Sequence, residues 1–399
     1  MKRGLVWTIV VTLCLALCLA AGAGLFVVRP ILYGDAAGPA PVRVDIPAGA
    51  SLGDIAASLA TARVVHHPFV FKRYATFAHF DRQVRPGEYE FVAGEPYRRI
   101  LERLREGDII QIKVTFPEGL TCREVAQIVE RKLGIDPEVF LRATEDHELL
   151  RRHNIDSPSF EGYLFPDTYF FPSKATEQEV LETMLQRFFT VWTPQHEERA
   201  RALGMTRGQV LALASIIEGE ALLNSERPRI SAVYHNRMRK DMLLQADPTV
   251  LYALGGVRRR VLYRDLLVAS PYNTYVNRGL PPGPICNPRL ASIEAALAPV
   301  PNCEEIYFVA ANDGSGRHVF TRTLAEHEAA KRQADRSGAA RVAAASAGAR
   351  DGEDLSPKAP PVKKGATAAP AATRHGAAKG SPAPAPTPAH RDPVDDDDE

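Results

Sequence analysis

The strongest pattern along the chain is an unbroken apolar run: Gly4 to Val28 carries no charge over 25 residues and is preceded only by Met1-Lys2-Arg3. As a helix it would span about 37 Å, more than the roughly 30 Å of a hydrocarbon core, so the pattern predicts a membrane anchor. Ala20-Ala21-Gly22-Ala23 offers the small residues of a signal-peptide cleavage site. The apolar region of a signal peptide is typically about 7 to 15 residues, however, shorter than this run. Lys2 and Arg3 set the N-terminus in the cytoplasm by the positive-inside rule and the rest of the chain beyond the inner membrane, although Arg29 weakens the asymmetry.

After the run the pattern repeats. Residues 42 to 56 and residues 112 to 126, 70 positions apart, share an alternating apolar strand, a Pro-x-Gly turn and an amphipathic helix start. Val42, Val44 and Ile46 alternate as in a half-buried strand, Pro47 and Gly49 break it, and Ser51 is a good helix N-cap. Ile112, Val114, Phe116, Pro117, Gly119 and Thr121 repeat those parts. Each copy leads to a Gly-aromatic strand, at residues 86–91 and 161–165, which predicts strand, two helices, strand twice over.

Farther on, Thr206-x-x-Gln209 is a capping box opening a helix that runs to Leu223 and is apolar apart from Ser215, Glu218 and Glu220. Helical spacing groups Glu218 with Leu211, Ala214, Ala221 and Leu222, and turns Glu220 about 200° away, so the two cannot flank one bond. Apolar neighbours disfavour the charged form of a carboxyl, which would suit a general acid at neutral pH. The alternative is structural, with both glutamates paired to Arg227, Arg229 or Arg237. Residues 270–288 hold five prolines and two glycines without helix or strand period, and read as an ordered loop. Within it Tyr272, Asn273, Thr274 and Tyr275 carry the hydroxyl, amide and ring faces that recognise sugars; a rigid connector packed on the core is the competing reading.

Composition narrows the options. With 49 Lys plus Arg against 48 Asp plus Glu, the chain lacks the basic excess of a nucleic-acid binder. Five cysteines without CxxC spacing indicate neither a disulfide framework nor a zinc site. His235 and His318 read as hydrogen-bonded structural histidines, and no cofactor or metal is implied. From residue 336 the chain turns to Ala, Pro, Gly, Lys and Ser, a composition that predicts a disordered tail over 336–399.

The strand–helix–helix–strand order with its Pro-x-Gly-x-[ST] turn resembles the LysM module, which implies glycan contact or, equally, a structural descendant of that fold. A second resemblance is carried by longer motifs: Glu161-Gly-Tyr-Leu-Phe-Pro-Asp-Thr-Tyr169, Ser215-Ile-Ile-Glu-Gly-Glu220, Leu244-Gln-Ala-Asp-Pro-Thr249, Pro271-Tyr-Asn-Thr-Tyr275, Gly279-Leu-Pro-Pro-Gly-Pro-Ile285 and His318-x-Phe320-x-x-Thr323-x-x-Glu326-His327. These resemble the YceG-like family of endolytic murein transglycosylases, over roughly residues 1 to 333. The chain departs from the family pattern at Gly219, where a longer, often basic residue is common, and at Arg289, where Gly usually follows Asn-Pro.

The resemblance implies an α+β protein: an anchor over 1–30, a linker over 31–41, a LysM-like subdomain over 42–110 and a catalytic domain over 111–335 with a second LysM-like half near 112–170. It implies Glu218 as the acid/base that cleaves the bond between N-acetylmuramic acid and N-acetylglucosamine with closure of a 1,6-anhydro ring. Peptidoglycan glycan strands are then the partner, with peptidoglycan synthases nearby. Glu161, Gln245, Asp247, Tyr272, Asn273, Thr274 and Tyr275 are the candidates for substrate positioning or for holding Glu218 in its acid form. Two other functions stay open: a hydrolase using Asp247 or Glu161 as a second carboxylate, and a non-catalytic cell-wall scaffold.

Overall fold

The computed structural model describes residues 2–34, 40–80, 84–256 and 259–351. Helix α1 (Lys2–Leu32) contains the apolar run, and from Trp7 to Leu32 it is long and apolar enough to cross a membrane.

The first repeat folds in the expected order. Strand β1 (Pro41–Ile46) leads through α2 (Leu52–Thr61) and α3 (Pro68–Phe77) to β2 (Gly87–Val92), followed by α4 (Tyr97–Glu106). β1 and β2 pair antiparallel with Val44 opposite Tyr89. Ser51 and Asp54 form a capping box on α2, satisfying amides that the first helical turn leaves without partners. Ile46, Leu59, Phe71, Tyr89, Phe91 and Tyr97 close a small core of their own.

The second repeat departs from its prediction. Strand β3 (Gln111–Thr115) is followed by three helices, α5 (Cys122–Leu133), α6 (Pro137–Thr144) and α7 (His147–Arg152), before β4 (Thr168–Pro172). The strand expected at residues 161–165 is a turn. Gly162 has φ +86°, and a Cβ there would lie 2.4 Å from Cγ of Pro284, so this backbone is bent against the later loop. The partner of β3 is the segment just beyond, where Tyr169 and Phe171 point into the core and Phe170 points out.

The larger core continues through α8 (Glu177–Val191), α9 (Pro194–Ala202), α10 (Arg207–Glu220), α11 (Arg227–Arg239), α12 (Asp247–Ala253) and α13 (Leu290–Leu297). α10 lies at its centre, with every residue from Val210 to Ile217 buried. A helix apolar all round is a buried helix, and the neighbours α9, α11, α12 and α13 surround it. A hairpin of β5 (Tyr307–Ala310) and β6 (His318–Thr321) precedes α14 (Leu324–Asp351).

α14 corrects the predicted boundary of the tail, because residues 336–351 are helical rather than disordered. They are rich in alanine, the strongest helix former, and continue a helix already nucleated at Leu324, so no new nucleation is required. Residues 352–399 lie outside the described residues, as do 35–39 of the predicted linker.

Candidate active site

Helix α10 begins at the capping box of Thr206 and Gln209 and ends at Glu220. Its buried length places Glu218 and Glu220 at the end of a rigid rod, on opposite sides as the spacing required.

Glu218 does not meet the apolar surroundings that spacing suggested. Leu222 is exposed, and the Glu218 side chain, 4% exposed, accepts hydrogen bonds from polar groups brought in by two other helices. Nε of Arg289 donates to both carboxylate oxygens, at 2.9 and 3.2 Å. The Arg289 backbone N–H donates at 3.1 Å and the Ser292 hydroxyl at 2.8 Å. Arg227, 2% exposed, reaches the same carboxylate at 3.4 Å while donating to Ser292 Oγ at 2.5 Å and to Asn224 at 3.0 Å. Arg289 is the more open partner, one third exposed, and it also approaches Glu118 at 3.9 Å. Gly119, the turn glycine of the second repeat, lies over Glu218: a Cβ there would be 3.4 Å from Cγ of the glutamate. In the corresponding turn of the first repeat a Cβ on Gly49 would meet open space, with nothing within 4 Å, so only one copy of the duplicated turn is built into this site.

Of the expected basic partners, Arg227 alone pairs with Glu218. Arg229 binds Glu305 at 2.7 Å, and Arg237 donates to the backbone carbonyls of Leu244 and Ile306, each at 2.7 Å.

Glu220 faces a different group. Tyr234 donates to it at 3.1 Å, and burial, reinforced by the charge of Asp247, pushes its carboxyl up to about 7. Asp247 opens α12 and accepts a 2.6 Å hydrogen bond from the Tyr275 hydroxyl. Between the two glutamates Gly219 abuts α12, since a Cβ would come within 2.7 Å of the Pro248 ring. That contact explains a small residue here, and it yields an expected outcome. Gly219→Ala gains about 1 kcal/mol of helix propensity but meets overpacking of about 1 to 3 kcal/mol, so its melting temperature falls by a few degrees. A rise would mean that α12 yields freely.

The loop residues divide by role. Asn273 is buried, donating to the carbonyls of Leu266 and Val268 at 2.9 Å and accepting from the Tyr275 N–H at 2.9 Å. Thr274 is buried too, accepting from the Ala246 N–H at 3.0 Å, and its carbonyl accepts from the Gln245 N–H at 3.1 Å. These two polar groups are satisfied inside the protein, Asn273 against residues 266–268 and Thr274 against residues 245–249, instead of facing outward towards a sugar. Gln245 is exposed on a backbone of φ 52°, and Tyr272 packs its ring 4.8 Å from that of Tyr252. Ser215, the polar residue inside α10, accepts the Ile285 N–H at 3.0 Å and so ties the end of the loop to the helix.

Glu161 stands apart from Glu218, buried at the start of α5, where the Cys122 N–H donates to both its oxygens at 3.1 Å and Asn287 donates at 3.3 Å. Burial pushes its carboxyl up to about 8, against the opposing pull of the Cys122 N–H. A cavity of about 260 Å³ opens beside it, lined in part by Thr121, Ser159 and Tyr252. The two clusters meet through one short segment: Asn287 holds Glu161 and the Leu120 carbonyl, and Arg289 holds Glu218.

A folded-state pKa raised this way means the native protein holds a proton that the unfolded chain releases near 4.5. The contribution of Glu161 to stability is complete below that value and is lost as the pH rises through about 8. Glu161→Gln keeps the shape and cannot ionise. Its melting temperature relative to the parent is expected to climb by several degrees between pH 5 and pH 9, and a flat difference would remove the case for a buried, titrating Glu161.

Sequence reasoning missed Ser292, Asn287, Tyr234 and Tyr252 as members of these clusters, and met Arg289 only as a departure from a pattern. His235 and His318 are structural as expected, the first 2.9 Å from the Ala296 carbonyl and the second 2.8 Å from Glu226.

Comparison with known proteins gives a consistent set of matches. The model of the YceG-like family matches residues 44–333. An endolytic murein transglycosylase of Bacillus subtilis (strain 168) is 34% identical over 308 residues, covering 73% of this chain and 84% of the relative. One from Streptococcus pneumoniae serotype 2 (strain D39) is 27% identical over 334 residues, covering 76% of this chain and 60% of the relative. A crystal structure of a yceG-like protein from Listeria monocytogenes superposes with a TM-score of 0.51 at 32% identity, covering 73% of this chain and 99% of that one.

Proposed function

The chain belongs to the YceG-like family, and from that premise we propose that it is an endolytic murein transglycosylase in which Glu218 is the acid/base. It cleaves the bond between N-acetylmuramic acid and N-acetylglucosamine within nascent peptidoglycan strands and leaves a 1,6-anhydro end. The observation that carries the role of Glu218 is its setting: a carboxylate fixed at the end of a buried helix, with one partly exposed partner, Arg289, between it and solvent.

The chemistry follows from that setting. Turning Arg289 aside opens the carboxylate to substrate and leaves it one cation poorer. Protonated Glu218 donates to the linking oxygen as positive charge develops at the muramic C1, and the departing sugar leaves as an alcohol. The ionised Glu218 then takes the proton of the muramic C6 hydroxyl as that oxygen closes on C1. Arg227 and Ser292 keep the carboxylate aligned through both transfers, and no water enters the products. Tyr272, Gln245 and Asp247 are the groups we assign to substrate contact. Asn273 and Thr274 act by holding the loop, and Glu161 by bracing Asn287 behind Arg289.

In the same reading α1 is a retained inner-membrane anchor with a cytoplasmic N-terminus, and the catalytic domain works in the periplasm beside the synthases that supply its strands. The order β1-α2-α3-β2 supports a LysM-like first subdomain. Mass spectrometry of muropeptides released from purified peptidoglycan by the detergent-solubilised full chain tests the reaction. Anhydro-ended products are expected; reducing ends would make the enzyme a hydrolase.

A further inference from the structure

The first repeat takes no part in the site around Glu218, yet it exposes two phenylalanines on one short helix. On α3 the residues Val70, Phe71 and Ala75 face the core, while the outward arc carries Phe69 and Phe77, 75% and 81% exposed, with Lys72, Arg73 and Thr76 exposed between them. Single exposed apolar residues are ordinary. Two aromatic rings flanking two cations is the composition of a helix lying at a membrane interface, where rings settle among headgroups and long basic side chains reach phosphates.

The position of α3 matches that composition. A 26-residue apolar helix from Trp7 to Leu32 is about 39 Å long, so its last turns stand beyond a hydrocarbon core of roughly 30 Å. Just before those turns the Phe26 ring packs against His67, the N-cap of α3, with centroids 4.7 Å apart. Ile31 joins the first-repeat core, and Gly34 sits so close to residue 94 that a Cβ would lie 2.0 Å from the Gly94 carbonyl oxygen. The module is therefore seated on the end of the anchor, with α3 starting at the level where the chain leaves the lipid.

We propose that α3 lies on the outer surface of the membrane that α1 crosses, with Phe69 and Phe77 at the headgroup level and Lys72 and Arg73 against the phosphates of anionic lipids. This rests on the reading of α1 as a retained anchor. The first repeat is then a footing that fixes the height of the catalytic domain over the membrane, rather than a glycan-binding module.

The two native tryptophans make the test self-controlled, because Trp7 lies in α1 and Trp192 is buried in the larger core. The full chain is reconstituted in vesicles of phosphatidylcholine and phosphatidylglycerol, with and without bromine on the acyl chains near the headgroups. In the parent, quenching of Trp7 reports the anchor. In a Trp7→Phe, Phe77→Trp variant, the indole introduced at position 77 is expected to lose at least half its emission in brominated vesicles. Quenching of Trp7 in the parent with none at position 77 overturns the proposal and leaves the anchor standing. Absence of Trp7 quenching removes the anchor, and the proposal with it. A position-77 indole untouched by brominated lipid but blue-shifted by soluble glycan strands assigns the face to sugar instead and equally overturns the proposal.

Discussion

Glu218→Gln is expected to release no anhydro-ended muropeptides under conditions in which the parent digests peptidoglycan. General acid–base assistance contributes about 10²- to 10⁴-fold per proton transfer, and in the proposed mechanism one carboxyl serves both transfers, so the rate should fall by at least about 10³-fold. Glutamine preserves size and one accepting oxygen, but it can neither donate the first proton nor collect the second. The substitution also removes a charge that two arginines share, and among the described residues Glu218 is the one carboxylate that buried Arg227 bonds. A lower melting temperature should therefore accompany the loss, and the comparison is made well below it, with circular dichroism showing a folded variant. Undiminished anhydro products from folded Glu218→Gln would move the acid elsewhere, and Glu220, on the opposite side of α10, would be the next carboxylate to test.

Arg227→Met is expected to be the most destabilising single change. Methionine has similar length and no charge, and it leaves Glu218 with Arg289 as its remaining cation and the Ala221 carbonyl without its 3.3 Å donor. Breaking a buried ion pair from one side costs about 3 to 5 kcal/mol. With about 2 to 4 °C per kcal/mol for a domain of this class, the melting temperature should drop by roughly 10 °C. The same substitution in a Glu218→Gln background should cost less, because no buried carboxylate is then left short of a partner. Two losses that simply add would show that the pair is not coupled, and would remove Arg227 from the role of aligning Glu218.

The helix cap at Ser51 with its counterpart at Thr121, the capping box at Thr206, the buried character of α10 and the irregular loop over 270–288 were all legible in the sequence. Each is written within a few consecutive residues: a side chain that bonds an amide three positions on, a helix with no polar face, a stretch too rich in proline to be regular. The opposite placement of Glu218 and Glu220 was legible for the same reason, since helical rotation alone decides it. The misplaced strand at residues 161–165 shows the limit of that reasoning. Its aromatic residues have the composition of a strand, but Gly162 must bend to pass Pro284, a contact made by a residue 122 positions later (284 − 162).

Neighbourhoods at the site were decided in the same way. Local spacing surrounds Glu218 with leucine and alanine, whereas the groups that touch it come from α11 and from the start of α13, 71 to 74 residues farther along. Asn273 and Thr274 looked available for a ligand because hydroxyls and amides on a loop usually are; burial against residues 245–249 and 266–268 gave them internal partners instead. The sequence by itself determined the long apolar helix at the N-terminus, the repeated strand–turn–helix start, the helix that carries Glu218 and the family, because these depend on local periodicity or on motifs read in line. Tertiary structure alone decided which charges meet Glu218, which loop residues are already satisfied and where α3 sits relative to α1, because hydrogen bonds and burial depend on distances that chain order does not contain.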